Sequence, residues 1–138
     1  MAPIPGALEL IAAVRAAELP LAVVSQGSRE KMAVTLPAAG IDAAIGGAPV
    51  LSGDDVARGK PHPDLSLLAA ERLGAPPAGC VVVEDSPTGV KAAVAAGMRV
   101  LGYAGEGNAA QLEAAGARPI SALAAALPLL GLPVRHTA

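Results

Sequence analysis

The chain has 138 residues, enough for one domain with a sizeable core. Its net charge is −2 with no basic run, and it holds no Phe, no Trp and one Tyr. Nucleic acid is therefore not expected as a partner, since neither a phosphate-neutralising patch nor a base-stacking platform is present. No uninterrupted apolar run could cross a membrane and no basic-then-apolar leader opens the sequence, so a soluble, cytoplasmic protein is expected. With 53% hydrophobic residues the core must be built from Ala, Val, Leu and Ile. Such small side chains suit close packing of helices on a sheet. Cys80 is the only cysteine, so no internal disulfide can form and a reducing compartment fits. Preceding an apolar run, it reads as a buried, inert thiol.

In chain order, Ala7 to Glu18 carries Leu8, Ile11, Ala12 and Arg15 at helical spacing, and Pro20 ends it. Leu21-Ala22-Val23-Val24-Ser25 is a short apolar strand. Gln26-Gly27-Ser28 turns, and Arg29 to Ala39 reads as a helix whose last turn Pro37 must kink or shorten before Gly40 closes it. Ala43 to Ile45 is expected as a third short strand, and Gly46 to Arg58 as a loop broken by glycines and Pro49. A helix runs from Pro63 to Leu73, stopped by Gly74. Cys80-Val81-Val82-Val83-Glu84 is a strand expected to be buried on both faces, because four apolar residues run straight into the acids. Ser86 can cap the following helix, Pro87 to Ala96, with Pro87 at a first position where a missing N–H costs nothing. Gly97 stops it. Arg99 to Tyr103 is a strand, Gln111 to Ala115 a helix, and Ser121 caps a last apolar helix to Leu130. The tail from Pro133 is expected to fray.

Strands alternate with helices, and the connections are too long for hairpins. The fold class is α/β, a three-layer, Rossmann-like parallel sheet with helices on both faces, in one domain over residues 1–138. In such sheets ligands bind at the carboxyl ends of the strands. Three segments place polar groups there. Glu84 and Asp85 are adjacent acids that repel unless a proton or cation relieves them, and an oxygen-only donor pair suits Mg2+. The plainer reading has one acid capping the helix and the other solvated. Val24-Ser25-Gln26-Gly27-Ser28 puts a hydroxyl and backbone N–H groups where a phosphoryl oxygen could bind; alternatively Ser28 is an ordinary cap and Ser25 a turn residue. Arg58-Gly59-Lys60-Pro61-His62-Pro63-Asp64 is a stiff loop that can hold Lys60 inward against a carboxylate pair or a phosphate, or leave it in solvent. His62 reads first as a loop residue fixed between two prolines. Gly89 reads as allowing close helix approach.

With these three segments the chain resembles the haloacid dehalogenase-like hydrolases, in the β-phosphoglucomutase and phosphoglycolate phosphatase branch. Leu-Ala-Val-Val-Ser25 is similar to the family's second motif, Val-Ala-Arg-Gly-Lys60-Pro-His-Pro-Asp to the third, and Val-Val-Glu84-Asp85-Ser-Pro-Thr-Gly-Val-Lys-Ala-Ala-Val-Ala-Ala-Gly-Met to the fourth. They stand in the family's order and spacing, and the resemblance spans Pro3 to Leu130. It implies a Mg2+-dependent phosphomonoester phosphatase or phosphomutase acting on a small phosphorylated metabolite. Ser25 and Lys60 would be the catalytic groups, Ser25, Gln26, Gly27 and Lys60 would bind substrate, and Glu84 and Asp85 would hold the metal.

The family's first motif, Asp-x-Asp after an apolar strand, supplies its nucleophile and its acid/base. The five aspartates here, Asp42, Asp54, Asp55, Asp64 and Asp85, include no such spacing. No base neighbours Ser25 in sequence to make it a substitute nucleophile. The helical cap that selects substrate is likewise not recognisable, and Pro3-Ile4-Pro5-Gly6-Ala7 resembles the point where the family's chain returns from it. The resemblance thus implies a core domain lacking the nucleophile-bearing central strand, inactive in isolation, or else a non-catalytic phosphate- or Mg2+-binding module. Loss of that strand would leave three outcomes. The flanking strands could pair directly, giving the order third, second, central, last. Edge strands could drive self-association or accept a complementing segment. Or the chain could be only marginally stable.

Overall fold

The computed structural model describes residues 6–25, 28–38, 40–105 and 107–130. Its strands are β1 (Val23–Ser25), β2 (Val50–Ser52), β3 (Val81–Glu84), β4 (Arg99–Tyr103) and β5 (Arg118–Ile120). Its helices are α1 (Ala7–Ala16), α2 (Arg29–Ala38), α3 (Ile41–Ile45), α4 (Asp64–Leu73), α5 (Pro87–Ala95), α6 (Ala109–Ala115) and α7 (Ala126–Leu129). Single 3-10 turns cover Gly53–Asp55, Pro77–Gly79 and Leu123–Ala125. All ladders are parallel, as the helical crossovers require. None of the described helices is long and apolar enough to cross a membrane.

The strands form two sheets, β1-β2 and β3-β4-β5. In the first, Val24 faces Leu51 and Ser25 faces Ser52. In the second, Val82 pairs with Val100, Glu84 with Gly102, and Tyr103 with Ile120. Alternation along the strands sends side chains to opposite faces. Val82 and Val100 pack with Val90, Ala93, Leu112 and Ala117 under α5 and α6. Val81, Val83 and Leu101 pack on the other face with Leu10 of α1, Leu123 and Ala126. That is the three-layer, Rossmann-like arrangement expected. The β1-β2 sheet packs Val24 and Leu51 on Leu65 and Ala69 of α4. Ala70 of α4 meets Ala96 and Met98, which ties the two parts together through small residues. Gly102 lets α6 approach closely: a Cβ there would lie 3.0 Å from the Cβ atoms of Leu112 and Ala117.

Several expectations are corrected. Ala43 to Ile45 is not a strand but part of α3, a helical turn bracketed by Gly40 and Gly46, both at positive φ. Ile41 and Ile45, four apart, share its inner side, and Ile45 is buried. The stretch from Gly46 to Arg58 is not all loop: it holds β2, whose Leu51 and Ser52 are fully buried. β5 was unexpected because Pro119 sits inside it; an edge strand tolerates a residue without an N–H. The last helix begins as a 3-10 turn after Ala122, so Ser121 is not its cap. Cys80 is half-buried, its Sγ 3.4 Å from the carbonyl oxygen of Pro76.

The largest correction concerns β3, which is half-buried at every position rather than buried on both faces. It has β4 on one side and no paired strand on the other among the described residues, so β4 is the most enclosed strand. Direct closure of the flanking strands does not occur: among the described residues β1 pairs only with β2, and β3 only with β4. The segments at Pro3 to Pro5 and from Pro133 onward lie outside the described residues.

Candidate functional site

Glu84 and Asp85 stand at the carboxyl end of β3, where the chain turns into α5. Ser86 caps that helix as its sequence predicts, its Oγ accepting from Gly89 N–H at 3.1 Å, with Pro87 in the first turn. The cap shapes the acid beside it. Glu84 Oε1 accepts from the N–H groups of Asp85 and Ser86, both at 3.2 Å, and from Ser86 Oγ at 3.1 Å. Glu84 Oε2 accepts from Lys60 Nζ at 2.9 Å. The carboxylate lies against the first turn of α5, and a Cβ at Gly89 would overlap it. Gly89 therefore makes room for a side chain of the site, not for another helix.

Lys60 and Glu84 are 24 positions apart, and both side chains are largely withdrawn from water, at 15% and 14% exposure. Burial pushes the Glu84 carboxyl up, but the Lys60 charge and hydrogen bond, with help from Asp85 and Ser86, outweigh it and hold the group below its usual value. Asp85 moves the other way. Partial desolvation, then its hydrogen bond with Glu84 and the negative charge there, raise its carboxyl. Paired acids driven apart in this way have one member stabilised by a lysine and one in need of a proton or cation.

Lys60 is carried by a loop whose base is spanned by a fork: Arg58 Nη2 and Nε donate to Asp64 at 3.0 and 3.3 Å. His62 N–H donates to the Gly59 carbonyl at 3.0 Å, while the His62 residue is exposed. Ser25 ends β1, half-buried, beside the fully buried Ser52. Gln26 and Gly27 lie outside the described residues. Ser28 Oγ accepts from Lys31 N–H at 3.1 Å, the ordinary capping role.

Two contributions were missed from sequence. Asn108 Nδ2 donates to the Asp85 carbonyl at 3.2 Å, and its Oδ1 is buried with no hydrogen-bond partner among the described residues. Arg29, Asp54, Asp55 and Ser52 form a network behind Ser25, in which Arg29 N–H already donates to Asp54 Oδ2 at 3.0 Å. One N–H at the start of α2 is thus taken by a protein carboxylate. An Asn preceding a helix is too common a signal to single out, and an Arg and an Asp 26 positions apart give none.

The donor set fits a hard cation in chemistry, being carboxylate and amide oxygen with no sulfur or imidazole. Glu84, expected beside Asp85 on that cation, accepts three hydrogen bonds on Oε1 and one from Lys60 on Oε2, so Oε2 is the oxygen with more room for a cation. No group of three or more His, Cys, Asp or Glu among the described residues is placed to hold a metal.

A family model for haloacid dehalogenase-like hydrolases matches residues 2–97. The chain belongs to this family. Hexitol phosphatase A of Escherichia coli is 40% identical over 102 residues, covering 71% of this chain and 44% of that protein. Phosphoglycolate phosphatase of the same species is 39% identical over 98 residues, 71% of this chain and 38% of that one. Among solved structures, a HAD family hydrolase from Deinococcus radiodurans, with bound phosphate and sodium, superposes with a TM-score of 0.86 at 38% identity. That match covers 96% of this chain and 62% of the other. The chain thus spans less than half of the two curated phosphatases and 62% of the solved structure. Within the haloacid dehalogenase-like fold, the Lys60–Glu84 pair and Asp85 occupy the carboxyl edge of β3.

Proposed function

We propose that this chain carries the phosphate- and cation-binding part of a Mg2+-dependent phosphomonoester phosphatase or phosphomutase acting on a small phosphorylated metabolite. The observation that carries the reading is the withdrawn Lys60–Glu84 pair beside an Asp85 whose carboxyl is raised. Phosphoryl transfer is mostly positioning and charge stabilisation, and these residues supply both. The Lys60 ammonium, fixed by Glu84, meets phosphoryl charge. Ser25 donates its hydroxyl to a phosphoryl oxygen, with Gln26 and Gly27 offering backbone N–H groups. Asp85 is the main carboxylate for the cation, with Glu84 adjoining. Mg2+, when bound, offsets negative charge on substrate and carboxylates.

No Asp-x-Asp occurs in the sequence. Without that nucleophile the chain alone turns over negligibly. A strand bearing it, seated between β1 and β3, would complete the site, either as a complementing segment or through association with another chain. The same lack of a nucleophile favours the second reading, a non-catalytic phosphate- and Mg2+-binding module. A lone cysteine and mild acidity agree with a cytoplasmic setting. Calorimetry with inorganic phosphate and Mg2+, beside a p-nitrophenyl phosphate assay, tests this. Millimolar or tighter phosphate binding that is lost in Asp85→Ala or Lys60→Met, without turnover, is expected. Turnover that Asp85→Ala abolishes would refute the inactivity, and no phosphate binding would refute the site.

A further inference from the structure

We infer that Arg29 and Asp55 are positioning residues, a strut that fixes the segment carrying Ser25 against the segment leading to Lys60. Arg29 opens α2, four positions after Ser25, and Asp55 closes the 3-10 turn five positions before Lys60. The Arg29 guanidinium grips the Asp55 carboxylate as a fork, Nη2 to Oδ2 at 2.5 Å and Nε to Oδ1 at 3.1 Å. Its Nη2 also donates to the Val50 carbonyl at 3.2 Å, and its backbone N–H to Asp54 Oδ2 at 3.0 Å. Asp55 is itself seated: its Oδ2 accepts from Ser52 N–H at 2.8 Å, while Ser52 Oγ accepts from Asp54 N–H at 3.0 Å. Ser52 is fully buried and is the register partner of Ser25.

Exposed single ion pairs contribute little, but a fork within a network anchored on buried backbone holds one geometry. Ser25 ends β1 and Lys60 lies on the connection from β2 to α4, and among the described residues neither shares a strand pairing with β3. The strut would thus set the spacing of hydroxyl and ammonium that a phosphate must bridge. Arg29→Lys keeps the charge but loses the fork and the reach to Val50. The inference rests on reading Ser25 and Lys60 as one phosphate site.

Hydrogen exchange of the full chain, read segment by segment without ligand, is the first arm, and phosphate titration the second. Arg29→Met should raise exchange about tenfold in both 23–32 and 52–60 while leaving β4 and α5 unchanged. It should also weaken phosphate binding about tenfold, with Arg29→Lys recovering only part of each loss. Arg15→Met serves as the control, because Arg15 Nη1 donates at 2.7 Å to Ala44 at the opposite edge, and should move neither segment. A change confined to the first turn of α2, a full rescue by Lys, or the same pattern in Arg15→Met would overturn the strut. Failure of the parent chain to bind phosphate would overturn the proposed function, while the exchange arm would still decide whether the strut couples the two segments.

Discussion

The β3-β4-β5 sheet is packed on both faces, with Val90, Ala93, Leu112 and Ala126 wholly enclosed, whereas the β1-β2 sheet rests on one small cluster of Leu51, Leu65 and Ala69. β1 is half-buried throughout, and in α2 Met32 is buried while Val34 is 71% exposed. The first region is held by apolar burial and the second largely by polar links: the Arg29 strut, the Ser52 turn and the Arg58 fork. The proposed site would draw on both, Glu84 and Asp85 from the dense part, Ser25 and Lys60 from the polar one. Burial fixes a strand end against water of any pH or salt. Ion pairs and caps fix a loop only while their charges persist.

That contrast can be broken most strongly at Leu112. Leu112→Ala should cost about 2–5 kcal/mol and lower the stability of the whole chain, as read by a denaturant melt. Gly89→Ala comes next. Its Cβ overlaps the Glu84 carboxylate, so about 1–3 kcal/mol of overpacking is expected, together with loss of the Lys60 contact seen in the Glu84 titration by NMR. Lys60→Met should cost about 1–2 kcal/mol by stranding a withdrawn carboxylate.

The pH dependence of that variant sharpens the picture. Glu84 has a folded pKa below its ordinary 4.5, so its contribution is present above about pH 4.5 and fades as pH falls through the lower folded value. Lys60→Met should remove that acid-side slope. Asp85→Asn should act in the opposite sense, raising stability slightly, by less than about 1 kcal/mol in a denaturant melt, while weakening Mg2+ binding. Its carboxyl is raised, so the gain should be full above the folded pKa and vanish below the ordinary 3.8. Val34→Ser, on the exposed side of α2, should change stability by about 0.5 kcal/mol or less.

The sequence alone determined what depends on neighbours along the chain. Four apolar residues before two acids predicted β3, Ser86 and Pro87 its following cap, Gly74 and Gly97 the ends of two helices, and Arg99 to Tyr103 a strand with those bounds. The motifs around Ser25, Lys60 and Glu84-Asp85 were legible because each sits in an unbroken local run. Whatever depended on a partner across space was not. Val50-Leu51-Ser52 is too short to declare itself among Gly and Pro, and becomes a strand because β1 supplies its ladder. Arg118-Pro119-Ile120 is a strand because it lies at an edge. Ile41 to Ile45 coils because two glycines at positive φ turn the chain back and Ile45 finds the core. Burial of β3 was overestimated because apolar content records what a strand can bury, while only the arrangement of strands decides what lies beside it. The division of labour between Glu84 and Asp85 was equally hidden, since it follows from which carboxylate Lys60, 24 positions away, can reach.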